Sequence, residues 1–344
     1  MDKNNKKAVR LPFQFVMIIL TSIIVSVCLF RSFNNFTSNE QPVAIKKLTP
    51  QLMEKFGGHP GIITTGLTIS DFLTFDPVKD DFTFIGIVWF EFDPAAITLD
   101  LLSKFRFNRA EILEKSDPDA RIVNNRFLVR YNVKVHFKNQ LNYQFFPFDD
   151  HRLSIQLVNP YVSTSEIIFE SVASNFSVKA ATEQLGWTLI EKQVETGFIE
   201  TDIKDGGQHA NLYYPGIFFA INYLRTGIRY AFTILLPLLA IFFISLFSFS
   251  LDPTRYATLA ISLSAGSVTA LLAYRFVIEN LSPAVGYFMI SDFIFFLFLG
   301  MVSLIFILSI VLKNLPLWVK QLLIVSLHAI VCSVFIYLTF FWMR

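Results

Sequence analysis

Five long apolar runs punctuate the chain: Leu11–Phe30, Ile228–Leu251, Tyr256–Leu281, Gly286–Leu312 and Leu317–Met343. About 20 residues rising 1.5 Å each span the hydrocarbon of a bilayer as a helix. Inside lipid every backbone N–H and C=O must be satisfied within the protein, so runs of this length can settle there only as helices. Composition agrees. The 344 residues are 53% hydrophobic with mean hydropathy +0.51, too apolar for an ordinary soluble domain. Net charge is only +2, which gives no ground for nucleic-acid binding. The two cysteines, Cys28 and Cys332, both sit in apolar runs, so no disulfide framework supports the polar part.

The third run is unlike the others. Between Thr254 and Asn280 it is rich in Ser, Thr, Gly and Ala. On a wheel of 100° per residue, Thr258, Ser262, Gly266, Thr269, Ala273 and Phe276 fall within roughly 80° of one another. Leu259, Ile261, Leu263, Val268, Leu271 and Leu272 take the remaining face. A small-residue stripe has two uses. It lets helices approach closely, or it faces its own copies around a water-filled path. Ser264 and Ser267 lie off the stripe and suit close packing. This segment alone leaves both uses open.

Lys3, Lys6, Lys7 and Arg10 precede the first run, which reads as a signal peptide or signal anchor over residues 1–35. Its length and the lack of an A-x-A-like cleavage site favour an anchor. Residues 36–60 read as a linker. From Gly61 to Arg225 the period changes to two. Phe127, Val129, Tyr131, Val133, Val135 and Phe137 alternate with polar partners between Arg126 and Lys138, the mark of a half-buried strand. Phe82–Phe92, Leu153–Leu157, Trp187–Lys192 and Ile217–Tyr223 behave alike. Turn signals at Asp93-Pro94, Asp117-Pro118, Asn159-Pro160 and Gly206-Gly207 separate them. The pattern predicts an antiparallel β-sandwich over 61–225. A four-helix membrane domain over 226–344 follows, with Pro237 kinking its first helix. An exported sandwich leaves Lys313 and Lys320 on the cytoplasmic side.

An exported sandwich followed by four helices, the second with a hydroxyl stripe, resembles the pentameric ligand-gated ion channels, the Cys-loop receptor superfamily. Tyr143-Gln144-Phe145-Phe146-Pro147-Phe148-Asp149 is similar to that family's signature loop, without the flanking cysteines, as in bacterial members. Arg225 stands where the family has an arginine at the sandwich–membrane junction, and Pro237 is the proline of its first membrane helix. Pro283 and Tyr287 match a Pro-x-x-x-Tyr spacing between the second and third membrane helices. The resemblance covers residues 61–343. It implies β plus transmembrane α architecture with an Ig-like extracellular domain, and a homopentamer in a bacterial inner membrane. It further implies passage of inorganic ions, opened by a small-molecule agonist or protons, with no cofactor and no enzymatic activity. Phe146, Pro147, Phe148, Asp149, Arg225, Pro283 and Tyr287 would couple gating, with Asp149 and Arg225 a candidate pair. The stripe from Thr258 to Phe276 would line the pore. Trp89, Tyr161, Tyr213 and Tyr214 would wall the ligand site between subunits, aromatic walls suiting cationic ligands. Trp89 and Trp187 equally suit the sandwich core.

The pattern departs from the family at the inner mouth. Thr258 takes the place of a carboxylate ring, after Asp252 and Arg255, so charge selectivity stays open. Thr269 replaces a mid-pore aliphatic girdle, which moves the expected hydrophobic constriction to Phe276. Arg275 and Asp292 are charges inside apolar runs, costly unless paired. They reach a similar depth and predict an interhelical pair, with Glu279, one turn on, as the competing partner. Two rivals to the channel remain: a non-conducting receptor, and a membrane enzyme with an exported binding module. No H-E-x-x-H, G-x-S-x-G or phosphate-binding loop supports the enzyme. Asp149-Asp150-His151 reads as a polar turn rather than a metal site.

Overall fold

The computed structural model describes residues 11–34, 36, 38, 40, 45–47, 49–55, 59–205, 208–252, 255–311 and 316–342. The expectations for Lys3–Arg10, Gly206-Gly207, Thr254 and Lys313 lie outside these residues. Two compact units are present. One holds residues 1–37, 143–149 and 227–344, the other 38–142 and 150–226.

The helical unit contains α1 (Leu11–Asn34), and the sheet unit two short helices, α2 (Pro50–Lys55) and α3 (Leu99–Ser103). The other long helices are α4 (Arg229–Leu246), α5 (Ala257–Leu281), α6 (Ile290–Val311) and α7 (Leu317–Tyr337). Among the described residues, five helices are long and apolar enough to cross a bilayer, which marks this as a membrane protein. Pro237 lies inside α4 and has no N–H for the Thr233 carbonyl. The Tyr274 hydroxyl of α5 donates to that carbonyl instead, so the defect in one helix fastens it to the next. α1 packs along α7 and against the end of α4 through buried polar groups. The Gln14 amide donates to the Leu246 carbonyl at 2.8 Å, and Thr21 Oγ1 meets His328 Nδ1 at 2.7 Å.

The sheet unit runs β1 (Gly61–Asp76), β2 (Asp81–Phe92), β3 (Arg106–Asn108), β4 (Ala110–Lys115), β5 (Asp119–Val123) and β6 (Arg126–Phe137). It continues with β7 (His151–Val158), β8 (Ile167–Glu170), β9 (Phe176–Val178), β10 (Trp187–Asp205) and β11 (Gln208–Arg225). Strands β4-β6-β2-β1-β8, joined by β5 and β9, form one sheet, and β10-β11-β7-β3 the other. The pairing is not purely antiparallel. β1 runs parallel to β8 at Gly61–Thr64 and to β9 at Leu67–Ile69. The chain visits the other sheet as β7 before returning, and such an excursion permits parallel pairing. Phe75 meets Tyr223 at 5.1 Å, Phe84 meets Phe107 at 6.1 Å and Phe176 meets Phe219 at 5.0 Å, so the two sheets share an aromatic core.

The region expected as a linker partly joins the sheet. Lys46 exchanges backbone hydrogen bonds with Phe198, and its ammonium pairs with Glu200. Gly197 makes this approach feasible: a Cβ there would stand 2.3 Å from the Lys46 carbonyl oxygen.

Candidate functional site

Thr258, Ser262, Gly266, Thr269, Ala273 and Phe276 are all exposed on α5. Ser264, Ser267, Leu271 and Ile278 are buried, and Ser262 and Gly266 border an open groove shared with Ile241 and Ile244 of α4. Ser264 and Ser267 return their hydroxyls to carbonyls one turn back, at 3.0 and 2.9 Å, and so pack without an unsatisfied group. Thr269 does the same at 3.2 Å although exposed. Thr258 and Ser262 hydroxyls have no partner among the described residues. A Cβ on Gly266 would meet nothing within 4 Å. Close packing within the chain therefore does not account for the small residues of this face. Phe276 is 69% exposed at the far end. Leu259 and Leu272 flank the stripe and are exposed too.

The loop 143–149 belongs to the helical unit, although it is continuous in sequence with β6 and β7. Its carbonyls cap α6. Ile290 N donates to Gln144 O at 2.9 Å and Ser291 N to Phe146 O at 3.1 Å, satisfying N–H groups at the helix start. Phe146 is fully buried with its ring 6.2 Å from Tyr230, and Phe148 packs on Phe33 at 5.5 Å. The Tyr143 N–H donates to the Tyr287 hydroxyl at 2.9 Å. Phe146, Pro147, Phe148 and Asp149 thus group with Pro283, which is buried, and Tyr287 in the helical unit. Arg225 ends β11 in the sheet unit. Its guanidinium lies 4.3 Å from the Trp187 ring and its backbone N–H donates to Asp150 at 2.8 Å.

Arg275 takes both partners between which the sequence left a choice. Nη1 reaches Asp292 at 2.5 Å and Nε reaches Glu279 at 2.9 Å. Asp292 is buried, and its second oxygen accepts the Met289 N–H at 2.8 Å, so its charge is shared between a cation and the start of α6. A cavity of 480 Å³ opens beside this cluster, lined by Arg275, Glu279, Pro283, Tyr287, Phe288 and Asp292 among others.

The candidate ligand aromatics divide between the two sheets. Trp89 lies on β2 opposite Gly66, between the fully buried Val88 and Phe90, and so on the face away from the core. A Cβ on Gly66 would clash with its indole at 2.3 Å, so the ring lies flat across the neighbouring strand. Trp187 alone of the two is core, stacked on His151 at 5.4 Å. Alternation along each strand distinguishes the two tryptophans, a signal present in the sequence. Tyr161, in the β7–β8 loop, is half exposed and accepts from Arg106 at 2.5 Å, with Lys104 also near its ring. Tyr213 and Tyr214 are half-buried on β11. The Tyr213 hydroxyl donates to Glu200 at 3.4 Å, and its carbonyl accepts from Thr164.

No family model matches the chain, and comparison with curated proteins finds no match.

One cluster had no clear signal in the sequence. Glu40 inserts a nearly buried carboxylate into the foot of the sheet unit. It meets His151 Nδ1 at 2.7 Å and accepts from Arg152 N at 2.5 Å and Asn142 N at 3.2 Å. Asp149-Asp150-His151 is therefore more than a polar turn, since His151 opens β7 buried against this acid. Asp80 stands close by and accepts the Asn139 N–H at 2.7 Å. Burial pushes its carboxyl up to about 6, against the opposing pull of the Asn139 N–H, Lys138 and His151, with Glu40 adding to the rise. A raised folded-state value means the native protein holds this proton where the unfolded chain has lost it. Stability therefore falls as pH rises from about 4 to about 6, and the cost persists above. Asp80 also has φ 52°, a conformation asparagine tolerates. Asp80→Asn is expected to raise the melting temperature at pH 7.5 and leave it unchanged at pH 4. Thermal melts of purified protein at both values check this, and an equal shift at both would remove the titration as the cause.

Proposed function

We propose that the chain is one subunit of a homopentameric ion channel of a bacterial inner membrane, opened by a small ligand or protons acting on the sheet unit. The observation that carries this reading is the outward face of α5. Five small or hydroxyl residues and Phe276 share it, two hydroxyls lack partners among the described residues, and Gly266 borders open space. Copies gathered around an axis would turn that face to water. On this reading the two sheets are an extracytoplasmic β-sandwich, α4–α7 form the four-helix pore domain, and α1 is a retained anchor. Trp89 on one sheet, and Tyr213 and Tyr214 on the other with Tyr161 in the β7–β8 loop, supply opposite halves of a ligand site closed by a neighbouring subunit. The loop 143–149 carries sheet motion to α6 by its carbonyl caps and thence to α5 through Arg275–Asp292, a rigid-body coupling. Asp80, whose carboxyl burial pushes up to about 6, offers a titratable group for protons.

Cysteines introduced at Thr258, Ser262 and Thr269, in a background with Cys28 and Cys332 replaced, are expected to react with hydrophilic thiol reagents and block current in planar bilayers. Residues unreachable under every condition end the reading. Reactivity without any current points instead to the non-conducting receptor.

A further inference from the structure

The sheet unit holds a second cavity of 210 Å³, away from the aromatic residues assigned to ligand binding. Its wall combines Arg109 from the turn after β3, Lys138 and Asn139 after β6, and Arg152 and Gln156 from β7. Arg109, Lys138 and Arg152 bring three positive charges. Glu40 is the one lining carboxylate, and its oxygens are already taken by His151, Ser38 and the backbone N–H groups of Asn142 and Arg152. No acidic side chain lies within 4 Å of any of the three cations among the described residues. Among the described residues each guanidinium makes one side-chain hydrogen bond, Arg109 to Gln140 at 2.8 Å and Arg152 to Asn222 at 2.8 Å, out of five N–H donors.

Asn139 supplies an independent observation. It is 7% exposed, and its Oδ1 accepts from Ser154 N at 2.7 Å. Its Nδ2, buried at the same wall, has no partner. A buried amide donor left empty costs about 1–3 kcal/mol, so such a group is normally answered. A donor with nothing to donate to, beside three cations that outnumber the one lining carboxylate, is complementary to oxygen lone pairs carrying negative charge. Carboxylate and phosphate fit that description, and the guanidinium fork matches both.

We propose that this cavity binds a small oxyanion, a carboxylate or a phosphate, with Asn139 Nδ2, Arg109, Lys138 and Arg152 as its donors. The site is independent of the channel reading, because binding can be measured without current. Asn139→Asp is the sharpest variant. It keeps the acceptor for Ser154 N, removes the donor and adds a repelling charge. Arg109→Gln with Lys138→Gln, both on exposed side chains, is the companion that spares the buried position.

Full-length protein in detergent is titrated calorimetrically with sodium succinate and, separately, sodium phosphate, at ionic strength held constant with sodium chloride. Saturable binding of at least one anion is expected, weakened by at least about tenfold in one or both variants. Which anion binds identifies the source of the oxygens. Heats of dilution alone with both anions, or unchanged binding in both variants, overturns the proposal. A variant that fails to elute as folded protein leaves the decision to the other.

Discussion

Replacing Arg275 by alanine is expected to destabilise the helical unit by about 3–5 kcal/mol, because it strands the Asp292 carboxylate in a buried place. The asymmetry between the two acids decides this. Glu279 is 54% exposed in its side chain, so its pairing with Arg275 is worth about 0.3–0.5 kcal/mol. The Asp292 side chain is 6% exposed, so losing its cation leaves a mostly buried charge. Arg275 also lies 5.3 Å from the Phe295 ring, a contact alanine loses. Alanine at both 275 and 292 is expected to be closer to wild type than Arg275→Ala alone, since removing both charges leaves nothing stranded. Melting of the detergent-solubilised protein across the four members of the cycle measures the coupling. Coupling below about 0.5 kcal/mol would show that the two charges act separately.

Phe276→Ala is expected to produce current with no ligand present. Phe276 is the bulkiest member of the outward face of α5 and stands at its end, next in sequence to Arg275 of the ion pair with Asp292. Around an axis, copies of this ring would close the path by expelling water, and alanine would leave it wide enough to wet. A rise of at least tenfold in resting conductance corresponds to about 1.4 kcal/mol in the balance of closed and open states. Bilayer recordings of wild type and variant at matched protein density give the ratio. Indistinguishable resting currents would move the constriction elsewhere on the stripe.

The legible features were those set by local chemistry. Period two from Arg126 to Phe137 places β6, because alternation is a property of the strand itself. The stripe on α5 was equally readable, since residues three and four apart share a helical face whatever the neighbours do. Even the Arg275–Asp292 pair could be anticipated from two charges at one depth in apolar surroundings. Boundaries were less legible. The fourth apolar run begins at Gly286, yet α6 starts at Ile290, because its first N–H groups wait for the carbonyls of a loop more than a hundred residues earlier.

Composition and periodicity alone determined that this chain is a membrane protein with a strand-rich region and several long helices, and which face of α5 is small and polar. Only the tertiary structure decided that loop 143–149 groups with the helices, that Glu40 reaches His151 and that Asn139 keeps an empty donor beside three cations. These facts depend on groups far apart in the chain meeting where water is excluded. The energy of such a meeting belongs to the pair and its burial, and neither partner carries a mark of it in its own neighbourhood.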